Sequence, residues 1–327
     1  NVRHGANDSG LRKRTIISST LERTMKLTNK FNLPQTFVNV IQRPTYSKGK
    51  AHISATEIIN SPRIVQLKKK HWEDIEQDAS EMVWSLFGSA VHNILEHGKD
   101  DHHIVEERLH LEFEGWKISG AIDLQEVEPN GTITVSDYKV TGAWAVMNEK
   151  DDWHRQLNIY AWMVEKVKQV PVGKLQIIAI IRDWSARDAT TKEGYPQSPV
   201  ATIDIPLWSF EEREAYISKR IDEHGTALFE METDGEMPDC TPEEMWEKKT
   251  TYALKKNANV RATSVHTTLV EAEEALAKAT GAAKKSESFL IEVRLGERTR
   301  CKGYCQVSQF CKQYQTYLTK EEENVSS

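Results

Sequence analysis

The chain has 327 residues, 39% of them hydrophobic, and a net charge of −6, enough for one large domain with an appendage or two. No run is long and apolar enough to span a bilayer, no secretory signal pattern opens the sequence, and no G-x-x-x-x-G-K-[ST] occurs, which sets aside a membrane protein and a P-loop motor. The acidic balance argues against a nucleic-acid binder, yet residues 1–50 carry ten Lys/Arg against only Asp8 and Glu22, a local balance of +8 that leaves −14 on the remainder. This basic N-terminal segment reads equally as a solvated arm or as a phosphate-contacting one. A cytosolic or nucleoid setting is the default expectation.

In chain order, residues 19–31 read as a helix, followed by irregular chain through Pro34 and Pro44. Ser54-Ala-Thr-Glu57 has the pattern of a capping box. Residues 81–97 read as a helix because Met82, Leu86, Ala90 and Ile94 recur at helical spacing, with Gly98 as its stop. Residues 105–113 and 116–127 form a hairpin through Glu114-Gly115. Pro129-Asn130-Gly131 turns the chain into a third strand, residues 132–140, since Asn and Gly tolerate positive φ. Residues 151–169 make a second helix, stopped before Pro171. Residues 174–183, with Ile177-Ile-Ala-Ile-Ile181, make a buried strand. Residues 184–199 read as a polar loop, 200–206 as an edge strand and 209–231 as an amphipathic helix. The order helix, three strands, helix, strand specifies an α/β class with a mixed sheet flanked by helices. Beyond residue 238 come a strand near Tyr252, a helix over 268–283, a strand over 288–295 and a frayed tail over 320–327.

The chemistry concentrates in residues 120–139. Asp137 and Lys139 share a strand face because side chains alternate with period two, and Asp123 approaches from the partner strand. Two carboxylates repel, and burying them uncompensated is costly. A divalent cation, Mg2+ or Mn2+, resolves this with oxygen ligands, and Lys139 then lies where it can orient water or neutralise phosphate charge. Asp137-Tyr138-Lys139 alone reads as an ordinary surface ion pair. His92 and Glu96 share one face of the first core helix, and Gln156 and Tyr160 one face of the second. Each pair alone reads as packing.

Taken together and in order, Gly88-x-x-x-His92, Gly120-x-x-Asp123, Asp137-x-Lys139 and Gln156-x-x-x-Tyr160 resemble the RecB-type branch of the PD-(D/E)XK nucleases, over roughly residues 54–183. The resemblance implies a restriction-endonuclease-like core over 51–235 and a metal-dependent DNA nuclease. It implies an exonuclease of recombination, repair or phage DNA metabolism, in the cytoplasm of a bacterial or phage-infected cell. His92, Asp123 and Asp137 would bind the metal with the carbonyl of Tyr138. Lys139 would act catalytically with Asp123 and Asp137, and Gln156 and Tyr160 would hold DNA or brace the site. Glu96 and Glu107 match less closely. Tyr138 fills a position where family members vary. The partners implied are DNA and a helicase or recombination protein. The rival reading is a catalytically silent nuclease-fold scaffold subunit of a helicase–nuclease complex. An iron–sulfur redox protein is a third, opposed by the lack of a dinucleotide fingerprint.

Cys240, Cys301, Cys305 and Cys311 are the only cysteines, spaced C-x60-C-x3-C-x5-C, which suggests one four-thiolate site. Two disulfides are disfavoured in a reducing compartment. Structural Zn2+ is the alternative, although x3 departs from its usual C-x2-C. The resemblance, extended to AddB-like and CRISPR adaptation nucleases, implies a [4Fe-4S] cluster clipping a small subdomain over 236–320. The x3 gap, and a remote cysteine lying after the core, depart from that pattern. Arg298, Arg300, Lys302 and Lys312, with Tyr304 and Phe310, flank the cysteines and read as a single-strand contact or as solvation and packing.

Overall fold

A computed structural model describes residues 25–43, 48–148, 150–257, 259–282 and 287–326. Up to the end of the core the elements are β1 (Lys26–Thr28), α1 (Gln35–Ile41), β2 (Ile53–Ser54), α2 (Ala55–Ile58), α3 (Pro62–Lys70), β3 (Glu76–Asp78), α4 (Val83–Leu95), β4 (His103–Phe113), β5 (Trp116–Val127), β6 (Ile133–Thr141), α5 (Ala143–Met147), α6 (Asp151–Lys168), β7 (Val172–Ile181), α7 (Ala186–Thr191), β8 (Val200–Ile205) and α8 (Phe210–Glu232). The C-terminal portion adds β9 (Glu247–Lys248), β10 (Thr251–Lys256), β11 (Ser264–His266), α9 (Leu269–Gly281), β12 (Phe289–Arg294), β13 (Glu297–Arg298), α10 (Thr299–Gly303) and α11 (Lys312–Ser326).

The central sheet is mixed. β4 pairs with β5 antiparallel from His103 to Phe113 with a gap at Glu106, and β6–β7 is parallel while β7–β8 is antiparallel. The Glu114-Gly115 turn has φ of 48° and 77°, which suits a tight right-twisted hairpin. The other edge of β5 is shared: β2 pairs with Ile118 and Ser119, and β6 pairs only from Leu124 to Val127. Between these ladders, residues 120–123 have no strand on that edge, so β5 and β6 fork apart. The fork follows from register and is where the chemistry sits.

α6 is buried on nearly every side from Gln156 to Val164, as expected of a helix lodged between a sheet and other helices. Leu157, Trp162 and Met163 join Ile118, Ile122, Val135, Ile177 and Ile217 in the main core. Gly120 makes this possible. A Cβ there would stand 2.7 Å from Met163 Sδ and 3.2 Å from Tyr160 Cε1, so only a bare backbone admits the helix. Gln169, with φ 58°, ends α6 in a left-handed cap before Pro171. Capping boxes at Ser54, Ser209 and Thr268 open α2, α8 and α9.

Four expectations are corrected. The chain read as irregular through Pro34 and Pro44 contains α1, which starts directly after Pro34. Residues 26–28 are not helical but form β1, which pairs in parallel with β3; part of the expected helix over 19–31 lies outside the described residues. The loop over 184–199 contains α7, capped by Ser185, whose hydroxyl accepts from Asp188 N at 3.3 Å. The tail expected to fray from residue 320 instead continues α11 to Ser326.

Candidate active site

Asp123 and Asp137 face each other across the fork and are 7% and 2% exposed. Beyond the last β5–β6 rung, Tyr138 N donates to Asp123 Oδ2 at 2.8 Å, so a carboxylate replaces the lost strand partner. Lys139 Nζ lies 2.5 Å from Asp137 Oδ2 and donates to Gln156 Oε1 at 3.0 Å. Gln156 Nε2 donates in turn to Asp137 Oδ1 at 3.0 Å and to Tyr160 Oη at 2.9 Å. The amide of one helix residue therefore spans both ends of the Asp137–Lys139 pair. Gln156 and Tyr160 are themselves buried, and their polar atoms turn inward to this network.

His92 projects from α4 toward the same fork. Its Nδ1 stands 3.4 Å from Asp123 Oδ1 and 3.1 Å from Glu106 Oε1. Glu106 is the residue the sequence reading missed. It sits in β4 with φ 51°, a left-handed conformation inside a strand, and the ladder skips it between Val105 and Glu107. The register is unshifted there, so Glu106 stands opposite Asp123 on the partner strand, held in a strained conformation. Glu107, singled out instead, pairs with Lys168 at 2.5 Å and accepts from Gln125. Glu96 is exposed in a 3-10 turn after α4.

The electrostatics suit a cation. Burial raises the Asp137 carboxyl to about 6 against the opposing pull of Lys139, and the Asp123 charge adds to the rise. Hydrogen bonds to Asp123 and then Glu106 lift His92 to about 10, so without a metal its ring carries a proton that balances two acids. Asp137 Oδ2 is buried against Lys139 Nζ. The ligand atoms of His92, Glu106 and Asp123 all lie within 4.8 Å of one another. The carboxylate oxygens of Glu106 and Asp123 and one imidazole fit a divalent cation.

The four cysteines are free thiols. Cys240 lies in the segment after α8, where Gln313 clamps it: Cys240 N donates to Gln313 Oε1 and Gln313 Nε2 to Cys240 O, both at 2.9 Å. Cys301 sits in α10, Cys305 just beyond it and Cys311 immediately before α11. Cys305 and Cys311 join Leu67, Ile75 and Val307 in a second apolar cluster against α3. Burial pushes Cys240 up to about 12 and, with the charges of Cys305 and Cys311, Cys301 up to about 11. These thiols therefore stay protonated at neutral pH unless a metal centre takes them.

A mixed sheet that forks to present two carboxylates and a lysine, braced by one helix and faced by a histidine from another, defines a restriction-endonuclease-like fold. The chain belongs to the PD-(D/E)XK nuclease superfamily, whose family model matches residues 63–312. Members are generally phosphodiesterase nucleases that use divalent metals. No curated protein matches the chain. Among solved structures, one titled "Crystal structure of SSO0001" is similar at 17% identity and a TM-score of 0.39, covering 57% of this chain and 82% of that one.

Proposed function

We propose that this chain is a Mg2+- or Mn2+-dependent deoxyribonuclease that hydrolyses phosphodiester bonds at the β5–β6 fork. The observation that carries the reading is the grouping of His92, Glu106 and Asp123 beside the strand that carries the Asp137–Lys139 pair, to which Asp123 is hydrogen-bonded through Tyr138 N. His92, Asp123 and Asp137 hold the cation, with the carbonyl of Tyr138 as a further ligand and Glu106 beside them. The cation, when bound, supplies a Lewis acid that polarises phosphoryl oxygens and acidifies water. Lys139 orients the attacking water and offsets negative charge growing on the phosphate. Gln156 and Tyr160 brace this lysine; their burial supports bracing over direct contact with DNA. The resemblance at the four motifs supports exonucleolytic action in recombination, repair or phage DNA metabolism, in the cytoplasm, beside a helicase or recombination protein. A silent scaffold would have no need of a complete ligand set.

The test is hydrolysis of linear, nicked and circular DNA by Asp137→Ala and Lys139→Ala. Each is expected to lose activity by on the order of 100-fold or more. Wild-type rates from either protein would overturn the assignment.

We further propose that Cys240, Cys301, Cys305 and Cys311 hold a [4Fe-4S] cluster rather than Zn2+. Cys305 and Cys311 share one apolar cluster against α3, and the resemblance to nucleases with one remote cysteine and a C-terminal trio supports the cluster over a single ion. Anaerobically purified protein should contain iron and acid-labile sulfide and lose both on Cys301→Ser. Stoichiometric zinc without iron would reverse the choice.

A further inference from the structure

Resting on the nuclease reading, we propose that Trp84, Gly88, Arg182 and Trp144 form a track that takes single-stranded DNA into the fork, its bases stacking on the two indoles. α4 is an apolar helix with no buried residue. Trp84 and Phe87 lie one turn apart on it and are 57% and 42% exposed. The Arg182 guanidinium stacks over the Trp84 ring at 4.1 Å. Arg182 N donates to Thr141 O at 2.9 Å, and Ala143 N to Asp183 Oδ1 at 2.7 Å. These bonds fix α5 at the same end of β6 and β7, and α5 carries Trp144, 66% exposed. Thr141 follows the catalytic Lys139 by two residues, about 7 Å of strand. α5 therefore stands at the end of the strand that carries Lys139.

Gly88 supplies an independent observation. Trp84, Gly88 and His92 form one row at i, i+4 and i+8, about 12 Å long, from the platform to the metal site. A Cβ at Gly88 would meet nothing within 4 Å. Glycine inside a helix costs up to about 1 kcal/mol relative to alanine, and here no packing neighbour requires it. A bare stretch of helix admits close approach by something outside the chain. Exposed indoles beside a guanidinium match bases and phosphates: rings stack on bases of any sequence, and the cation meets the backbone. Duplex DNA keeps its bases stacked inside and offers no such faces.

The experiment is fluorescence anisotropy of a fluorescein-labelled oligothymidylate of about twenty nucleotides, and of a duplex of equal length, with EDTA present to stop cleavage. The Trp84→Ala/Trp144→Ala protein should bind the single strand at least tenfold more weakly, with duplex affinity changed less than twofold. Tryptophan quenching by the oligonucleotide should disappear with it. Gly88→Leu should weaken single-strand binding strongly and Gly88→Ala by less, with Tm raised in the alanine protein. Trp84→Phe, which keeps a stacking ring, should bind nearly as wild type and serves if the alanine protein fails to fold. Wild-type affinity in the folded double variant, or equal losses for single strand and duplex, would overturn the proposal. So would a change of oligomeric state on light scattering with oligonucleotide affinity untouched, which would make the patch a protein interface. Asp137→Ala should retain Trp84-dependent binding, so failure of the hydrolytic reading would show separately.

Discussion

Gln156 Nε2 lies 3.0 Å from Asp137 Oδ1, and this one contact couples α6 to the strand that carries the lysine. Because Gln156 Oε1 also accepts from Lys139, the amide sets the orientation of both partners at once. An amide can do this because it donates from one end and accepts at the other. Gln156→Leu keeps bulk but removes both bonds. Activity should fall about 10- to 100-fold, with Mn2+ affinity falling in parallel by calorimetric titration and Tm falling little. A variant with unchanged kinetics would show that the bridge is incidental.

Glu106 combines a carboxylate near His92 with a left-handed backbone, which costs a non-glycine residue on the order of 1 kcal/mol or more. Glu106→Gly relieves that cost and removes the carboxylate. The metal-free protein should therefore melt at the same temperature or higher, while Mn2+ affinity drops tenfold or more. Opposite signs in the two measurements are the signature of strain kept for a ligand. A fall in both would instead make Glu106 a stabilising residue.

Gly120→Ala inserts a methyl 2.7 Å from Met163 Sδ. Met163 is fully buried, so its thioether can yield only by repacking against its neighbours on α6, the helix that also carries Gln156. The variant should lose about 1–3 kcal/mol in urea unfolding and should lose nuclease activity beyond what unfolding explains.

His224 is fully buried on α8, its Nε2 3.3 Å from Ile58 O. Burial, then the charge of Arg220, lowers its pKa to about 4. The unfolded ring titrates near 6.5, so between these values the unfolded state binds the extra proton and stability rises with pH. The contribution is complete above about 6.5 and is lost as pH falls toward 4, by about 3 kcal/mol at most. Urea unfolding at pH 7 and pH 4.5 should show this loss in the wild type, and His224→Gln should reduce it.

Much of this was legible from residue order. Asp137 and Lys139 share a face by simple alternation, and Gly120 stood in its motif before Met163 gave it a reason. Glu106 was not legible, because its place opposite Asp123 follows from the β4–β5 register, which no single segment announces. β1 was hidden for a different reason: its partner, β3, lies about fifty residues away, and short strands take their identity from such pairing. α7 did carry a signal, Ser185 three residues before Asp188, which its polar surroundings masked. The fork is a property of register, since β6 pairs with β5 for only four residues, and register belongs to no single segment.

The antiparallel pairing of Glu247 with Arg298 and Lys248 with Glu297 has a consequence for engineering. Chain leaving this ladder returns to it, after building the β10–β12 sheet and α9. The lobe is therefore a cassette mounted on a stem. A short turn spliced between Lys248 and Glu297 would excise it while keeping the four cysteines and the hydrolytic centre on their own supports.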